Sequence, residues 1–536
     1  MQITLEGIKD TAAFEKAGIA LPRYDVAQKQ KECLDRPVWI HFGAGNIFRG
    51  FVASLCQTLL DQKLIDTGIL TASCYDGAII DDVYKKHDHL TLEVTLMPDT
   101  SVELKVIGSV LRGFKLNGTA PEDERTVEGI FEKDSLQIVS FTITEKGYAL
   151  YDLNGAMLDQ VKSDIENGPG KCRHAMSIVT AMLYHRYQHG KGKLALVSMD
   201  NCSHNGDKLK ASVLDITRHW IDKGFVDKGF LDYVSDGKSV SFPWSMIDKI
   251  TPRPDQGIAK QLGERGVEGM ELIKTKRGSY ISPFVNAEKP QYLIIEDSFP
   301  NGRPPLDKAG VLLTDKNGVD LCERMKVTTC LNPLHTALAV YGCVLGYPKI
   351  ADEMDDELLV RLVKKLGYDE GLPVVDDPRI LSPKAFLTEV IEQRLTNKCL
   401  PDTPARIATD TSMKVPVRFG ETLKNYKKKG LDSSGLTALP LAIAGWVRYL
   451  MAVDDQGRPF ELSDDPQLGE LRNTVKDIKF GDPSSVGDHL KSFLSNQSEF
   501  GVNLYDAGLG KKIEEMVAMM IKGPGAVKET LAHYLK

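Results

Sequence analysis

Pro37-Val-Trp-Ile-His-Phe-Gly-Ala-Gly-Asn-Ile-Phe-Arg-Gly50 is the stretch on which the fold turns. Residues 37–42 are a short apolar run, and such a run closed by glycines reads as a buried strand. A helical pattern follows from Arg49 to about Leu60. A glycine turn between a strand and a helix is the setting a dinucleotide site requires. Gly43 permits the tight turn, and Gly45 lets the backbone approach a pyrophosphate at the helix N-terminus, with Asn46 and Ile47 in the same turn. The third position of the G-x-G-x-x-G pattern is Phe48, not glycine. A second apolar run, Gly68–Tyr75, ends at Asp76, about 30 residues after Gly45. A carboxylate there can accept hydrogen bonds from the ribose of an adenosine and repel a 2′-phosphate. Asp76-Gly77 reads equally well as a plain turn.

Outward from this unit the pattern repeats. Residues 89–96 and 101–110 alternate like paired strands around the turn Met97-Pro-Asp-Thr-Ser. Ile79–Tyr84 and Ser177–Tyr187 read as helices, Leu136–Thr144 and Leu194–Met199 as buried strands. Strands alternating with helices predict an α/β domain with a largely parallel sheet. After Asn301-Gly-Arg-Pro-Pro, helical patterns dominate, around 327–346, 353–366, 384–395, 436–452 and 511–533. The reading is a Rossmann-type domain over residues 1–305 and a mainly α-helical domain over 306–536.

The chain has 536 residues, 42% apolar and 26% charged, which excludes a disordered, collagen-like or coiled-coil protein. Its 67 basic and 74 acidic residues leave a net charge of −7. That balance gives no electrostatic reason to expect nucleic acid or an anionic membrane as partner. The nine cysteines include no C-x-x-C pair and suit a reducing compartment. The N-terminus lacks a signal-peptide pattern, and Arg448 interrupts the apolar stretch 436–453, so a cytoplasmic protein is expected. For oligomeric state the expectation is a monomer or a weak dimer.

A second constellation is Glu323-Arg-Met-Lys-Val-Thr-Thr-Cys-Leu-Asn-Pro-Leu-His335. Asn332 and His335 are three apart and share a helical face. A lysine among apolar groups, here Lys326, can act as a general base. An asparagine amide can donate to an oxygen that gains negative charge. The same residues also read as a surface lysine, a capping asparagine beside Pro333 and a core histidine.

Taken together, these blocks resemble the mannitol dehydrogenase family of polyol-specific long-chain dehydrogenases, which includes mannitol 2-dehydrogenase, fructuronate reductase and tagaturonate reductase. Further blocks agree in order: Val106-Ile-Gly-Ser-Val, Thr142-Ile-Thr-Glu-Lys-Gly-Tyr, Ser198-Met-Asp-Asn with Asn205-Gly, Phe242-Pro-Trp-Ser-Met-Ile-Asp-Lys-Ile-Thr-Pro, Ile295-Glu-Asp-Ser-Phe-Pro-Asn-Gly-Arg-Pro, Arg406-Ile-Ala-Thr-Asp-Thr-Ser-Met-Lys and Ala444-Gly-Trp-Val-Arg-Tyr-Leu. The resemblance implies an expanded Rossmann domain, a helical second domain, substrate in the cleft between them, and metal-independent NAD(P) chemistry, with the Asp76 carboxylate favouring NAD over NADP. It implies Lys326 as general acid/base, Asn201 and Asn332 as the polarising amides, and His335 as an orienting group. Asp248, Arg406 and Lys414 match residues that contact the sugar chain, and Glu323 matches a carboxylate near the lysine. The substrate class implied is a small-molecule sugar acid or polyol. Positive charge at Arg253, Arg406 and Lys414 favours a carboxylate-bearing one, D-mannonate/D-fructuronate, over mannitol/fructose, with mannitol 2-dehydrogenase or tagaturonate reductase activity as the alternatives. A catalytically silent binding protein is the alternative of another class.

Two departures from the family pattern stand out. Five residues, not the usual four, separate Lys326 from Asn332, an offset of about 100° on a regular helix that a π-bulge would absorb. Phe48 brings the glycine turn closer to the mannitol-1-phosphate dehydrogenase branch. His185 and His189 have the spacing of two metal ligands on a helix, but no third ligand is evident, and Arg186 and Gln188 suggest an exposed face. No metal is expected. Cys202 and Cys330 read as small cleft or core residues in preference to nucleophiles, and the run from Lys427 as a solvated face. Tyr148 reads as a core residue or as one stacked near the cofactor.

Overall fold

The structure, a computed structural model, describes residues 1–536. The chain folds into two units, Met1–Leu96 with Ser101–Asp320, and Met97–Thr100 with Leu321–Lys536.

The first unit is built on six parallel strands: β1 (Trp39–Phe42), β2 (Ile69–Ser73), β3 (Val110–Lys115), β4 (Ile138–Phe141), β5 (Leu194–Ser198) and β6 (Val240–Ser241). Their spatial order is 3-2-1-4-5-6, the doubly wound dinucleotide-binding order. Every residue of β1, β2, β4 and β5 is buried, because helices cover both faces of a parallel sheet. Side chains alternate between two cores. Ile40, Phe42, Leu70, Val139 and Leu196 enter one, and Trp39, Ile69, Ile138, Ala195 and Val197 the other. Burial of each large side chain contributes about 1.5–3 kcal/mol. β3 corrects the sequence-based reading. The alternation over 101–110 is one strand, Val102–Ile107, antiparallel to Thr91–Leu96, and the chain then turns directly into the sheet's edge strand. Three smaller sheets, of four, three and two strands, complete the unit, and the strand Ser245–Asp248 pairs with Tyr292–Glu296 in the three-stranded one.

The second unit is helical. Its core pairs two apolar helices, Asn332–Leu345 and Ala438–Leu450, the latter buried along its whole length. Arg448 is buried there yet satisfied, donating to the carbonyls of Val453 (2.5 Å) and Asp454 (2.8 Å) just past the helix end. No helix is long and apolar enough to cross a membrane. The single helix predicted over 511–533 is two, Gly510–Met520 and Ala526–Tyr534. Pro524 lies between them, with no N–H to continue the first. At the core crossing, a Cβ on Gly445 would lie 2.7 Å from the ring of Tyr341, whose hydroxyl donates to Leu441 O (2.7 Å). Gly445→Ala is therefore expected to overpack this contact and destabilise the protein by about 1–3 kcal/mol, read as a lower urea midpoint with unchanged slope.

Candidate active site

The glycine turn leaves the carboxyl end of β1, where the strand order reverses between β1 and β4. That reversal is where open α/β sheets bind ligands. Gly43 has φ +118°, and a Cβ there would run into the carbonyl of Thr142, just past β4. A side chain is barred at this position on both counts. Gly45 is exposed, with nothing within 4 Å of where its Cβ would stand. The turn is thus tight on the protein side and open on the other. Asn46 Oδ1 accepts from the buried Arg49 (2.9 Å), which also donates to Ser282 O (2.7 Å), and this fixes the turn to the sheet beyond. Ile47 is half-buried.

Phe48 finds its explanation here. The helix opens with a π-turn, Phe48–Val52, before regular helix Ala53–Asp61. The Phe48 ring is fully buried and stacks on His41 (centroids 4.3 Å apart). A third glycine serves close helix–strand packing. In this chain an aromatic pair fills that space. Burial pushes His41 down to about 3, so its imidazole is neutral. Its two nitrogens bond Ser140 Oγ (2.6 Å) and Thr142 Oγ1 (2.8 Å), bridging β1 to β4. Asp76 lies past the end of β2, half-buried, and its Oδ1 accepts from Ala78 N (3.0 Å). The carboxylate is therefore a turn former.

Past β4 and β5 sits a network that the sequence reading left out. Asp200 accepts from the backbone N–H groups of Ile143 and Thr144 (2.9 Å each) and from the Tyr148 hydroxyl (2.6 Å). Burial nevertheless holds its carboxyl above the usual range. Thr144 has φ +65°, a strained value for a β-branched residue that these bonds hold in place. Tyr148 is buried and serves this network, which settles it as a core residue. Asn205 is the second organiser. Its amide donates to Ser198 O (3.2 Å) and Ser245 O (2.9 Å), and its Oδ1 accepts from Ser245 N (3.0 Å). It ties the end of β5 to the strand that closes on the buried Asp248. Asn201, next to Asp200, is exposed. Arg253 is exposed, and its carbonyl accepts from Asn286 (3.2 Å).

The second unit carries the lysine segment. Helix Lys316–Met325, which includes the half-buried Glu323, runs into a π-turn, Lys326–Cys330, and then helix Asn332–Leu345. The Leu331 N–H reaches the Lys326 carbonyl at 3.1 Å, the wide i+5 bond. The extra residue between lysine and asparagine is thus absorbed as a π-bulge. Lys326 is buried at 2% exposure. The turn is held from outside, as Thr422 Oγ1 donates to Thr328 O (3.0 Å). Cys330 is buried, its thiol pushed up to about 12, and it offers no nucleophile.

Around His335 the second unit gathers cations. Burial first, then the charges of Arg394, Arg418 and Arg406, push the imidazole down to about 3, so it is neutral. Arg418 donates to Thr336 Oγ1 (2.5 Å) and Asn332 O (3.3 Å), which fixes the turn carrying Asn332. Lys414 donates to the carbonyls of Ile407 (3.0 Å) and Thr409. Burial, then Arg418, bring Lys414 down to about 8. Arg406 is exposed and pairs with Asp402. Arg394 and Arg418 escaped the sequence reading because charge alone does not mark a site.

The family model of the mannitol dehydrogenase Rossmann domain matches residues 38–308, and that of the mannitol dehydrogenase C-terminal domain matches 319–521. The chain is 52% identical to the D-mannonate oxidoreductase of Thermotoga maritima over 534 residues, 99% of this chain and 98% of that one. Two solved structures share the fold. D-sorbitol dehydrogenase in substrate-free form has a TM-score of 0.77 at 24% identity, covering 96% of this chain and 98% of its own. The Pseudomonas fluorescens mannitol 2-dehydrogenase complex with NAD and D-mannitol has a TM-score of 0.68 at 23% identity, covering 100% and 99%. The strand order, the open glycine turn and the lysine–asparagine–histidine segment thus sit in a chain that belongs, over nearly its full length, to the mannitol dehydrogenase family of oxidoreductases.

Proposed function

We propose that this protein is an NAD-dependent sugar-acid oxidoreductase that interconverts D-mannonate and D-fructuronate. The observation that carries the sugar acid is the set of cations around neutral His335, namely Arg394, Arg406 and Arg418, with Lys414 beside them. A polyol offers only neutral hydroxyls and needs no such charge. A uronate carboxylate pairs with guanidinium groups in strong charge-assisted bonds. The 52% identity to a D-mannonate oxidoreductase supports the same substrate.

The residues at the glycine turn fit a dinucleotide. Gly43 allows the tight turn against Thr142, Gly45 leaves the outer side open for a pyrophosphate, and the Asp76 carboxylate suits a ribose diol and disfavours a 2′-phosphate. NAD bound there supplies the hydride acceptor for oxidation and the donor for reduction. We assign the remaining steps to the chain's own side chains. Lys326 takes the proton of the secondary alcohol on oxidation and returns it on reduction. The Asn332 amide donates to the oxygen as it becomes an alkoxide, with Asn201 as the second donor. Neutral His335 orients the substrate by hydrogen bonding, Asp248 accepts from its hydroxyls, and Glu323 serves the proton path to Lys326. The nine cysteines are free thiols, and we place the protein in the cytoplasm.

The test is nicotinamide absorbance with NADH and NADPH against D-fructuronate, D-tagaturonate, fructose and fructose 6-phosphate. Turnover of D-fructuronate with NADH is the expected result. Turnover of fructose alone would move the assignment to a polyol. Binding of NADH without turnover of any of the four would point to a silent site.

Lys414 adds a pH dependence. Its ammonium is present below pH 8 and lost as pH rises through about 8. The substrate carboxylate stays ionised throughout. KM for D-fructuronate is therefore expected to rise, by up to about ten-fold, between pH 7 and 9. Lys414→Met should start from the high KM and show no such rise. An unchanged profile in that variant would remove Lys414 from the carboxylate's partners.

A further inference from the structure

Helix Pro121–Glu132 ends where helix Ala175–Gln188 ends. Glu132 closes the first, His185 lies in the last turn of the second, and His189 follows as its cap. The sequence spacing supplies two imidazoles and no third ligand. The fold supplies it from 53 residues away, with His185 Nε2 2.8 Å and His189 Nε2 3.8 Å from Glu132 Oε1. One ligand atom from each residue lies within 4.8 Å of both others. In a tetrahedral zinc site with bonds of about 2.0–2.1 Å, ligand atoms stand roughly 3.4 Å apart. The observed separations bracket that value.

A second observation concerns tautomers. His189 Nδ1 lies 2.8 Å from the His185 carbonyl. A carbonyl only accepts, so Nδ1 carries a proton, and in the neutral ring the lone pair is on Nε2, the nitrogen 3.8 Å from Glu132 Oε1. A backbone carbonyl holding the far nitrogen is the usual support for a metal-bound imidazole. Beneath the cluster the structure is rigid. Arg186, expected to be exposed, is 2% exposed. It donates to Phe131 O (2.5 Å), Lys133 O (2.9 Å), Gly192 O (2.8 Å) and Lys193 O (3.0 Å). These bonds fix both helix ends and with them the ligand geometry.

We propose that Glu132, His185 and His189 bind one borderline divalent transition ion, of the zinc class, as a structural clip between these two helices. Two imidazoles and one carboxylate suit such an ion, with water in the fourth position, and hard oxygen-seeking cations do not favour imidazole. The site has no part in hydride transfer. Both helix ends lead into the amino ends of β4 and β5, and dinucleotide chemistry belongs to the carboxyl ends. Loading needs the His185 Nε2 lone pair, so that ring takes the Nδ1–H tautomer and its hydrogen bond to Glu132 gives way to the metal.

The experiment uses the full-length protein freed of metal with a chelator, with zinc chloride alone as probe. Titration calorimetry at pH 7.5 is expected to show one high-affinity equivalent per chain. The melting temperature should rise by a few degrees at saturating zinc. In His185→Ala/His189→Ala the affinity should fall at least ~30-fold and the thermal shift should vanish, and in Glu132→Gln it should fall about ten-fold. His189→Gln alone leaves the His185–Glu132 bond intact and serves if the double variant does not fold. Equal zinc uptake by wild type and these variants would place binding elsewhere, for example on thiols, and overturn the proposal. So would the absence of both heat and thermal shift in the wild type at about 0.1 mM zinc, since a three-ligand site with fixed geometry binds well below that.

Discussion

Lys326→Ala is expected to lower kcat for D-fructuronate reduction by about 10³-fold while NADH still binds. Proton transfer by a positioned side chain contributes about 10²–10⁴-fold, and no other group in the segment 323–335 is placed to replace it. Glu323 lies a helical turn earlier, and His335, pushed down to about 3, is a poor proton acceptor near neutral pH. The variant should fold. Lys326 is 2% exposed, so alanine leaves a cavity, but Leu331 N–H and Thr422 Oγ1 still hold the backbone of the π-turn. The check is steady-state turnover beside NADH fluorescence titration, with added methylamine as a small replacement base. Lost turnover, retained NADH affinity and partial recovery with the amine would assign the proton to Lys326. Unaltered turnover would mean that the wide turn carries the lysine out of the site and that another group is the base.

How this segment could be read from sequence at all depends on the kind of signal involved. The strand–glycine–helix unit at 37–60 was legible because its determinants are local. An apolar run, a barred side chain at Gly43 and a helical period all lie within some 25 residues. The five-residue gap after Lys326 was legible as an anomaly, and a π-bulge was among its readings. Only the structure decides between that and a lysine outside the helix, because the i+5 bond leaves no mark in composition. Edge strand β3 was hidden, since the hairpin alternation before it runs on without a break. Networks closed over long separations were not legible either. Asp200 meets Thr144 at 56 residues' distance and Glu132 meets His185 at 53. Arg186 shows the same limit from the other side. On a helical wheel it reads as surface, yet four backbone carbonyls take it into the interior.

Asn332→Ala is expected to lower kcat and kcat/KM together by about 10²–10³-fold, the usual cost of removing one donor to a developing oxyanion. The direction follows from what Asn332 offers. Its carbonyl is engaged by Arg418 (3.3 Å) and Thr336 Oγ1 (3.0 Å), which fix the backbone that carries the amide. In the proposed role, the amide donates to an oxygen whose charge grows only as the carbonyl becomes an alkoxide. An interaction made in the transition state but not in the ground state leaves KM little changed and lowers the two rate terms equally. Asn332→Asp is the sharper variant. It keeps size and shape, removes the donor and sets a carboxylate against the alkoxide. Its activity should fall at least as far as that of alanine. Arg418 is not a rescue, since its guanidinium is already bound to the Asn332 carbonyl and Thr336 and not to the amide. A fall confined to KM in either variant would make Asn332 a binding group and move the oxyanion role to Asn201 alone. A fall in kcat in Asn332→Ala that Asn201→Ala matches, with the double variant costing little more, would show the two amides acting as one unit on the same oxygen.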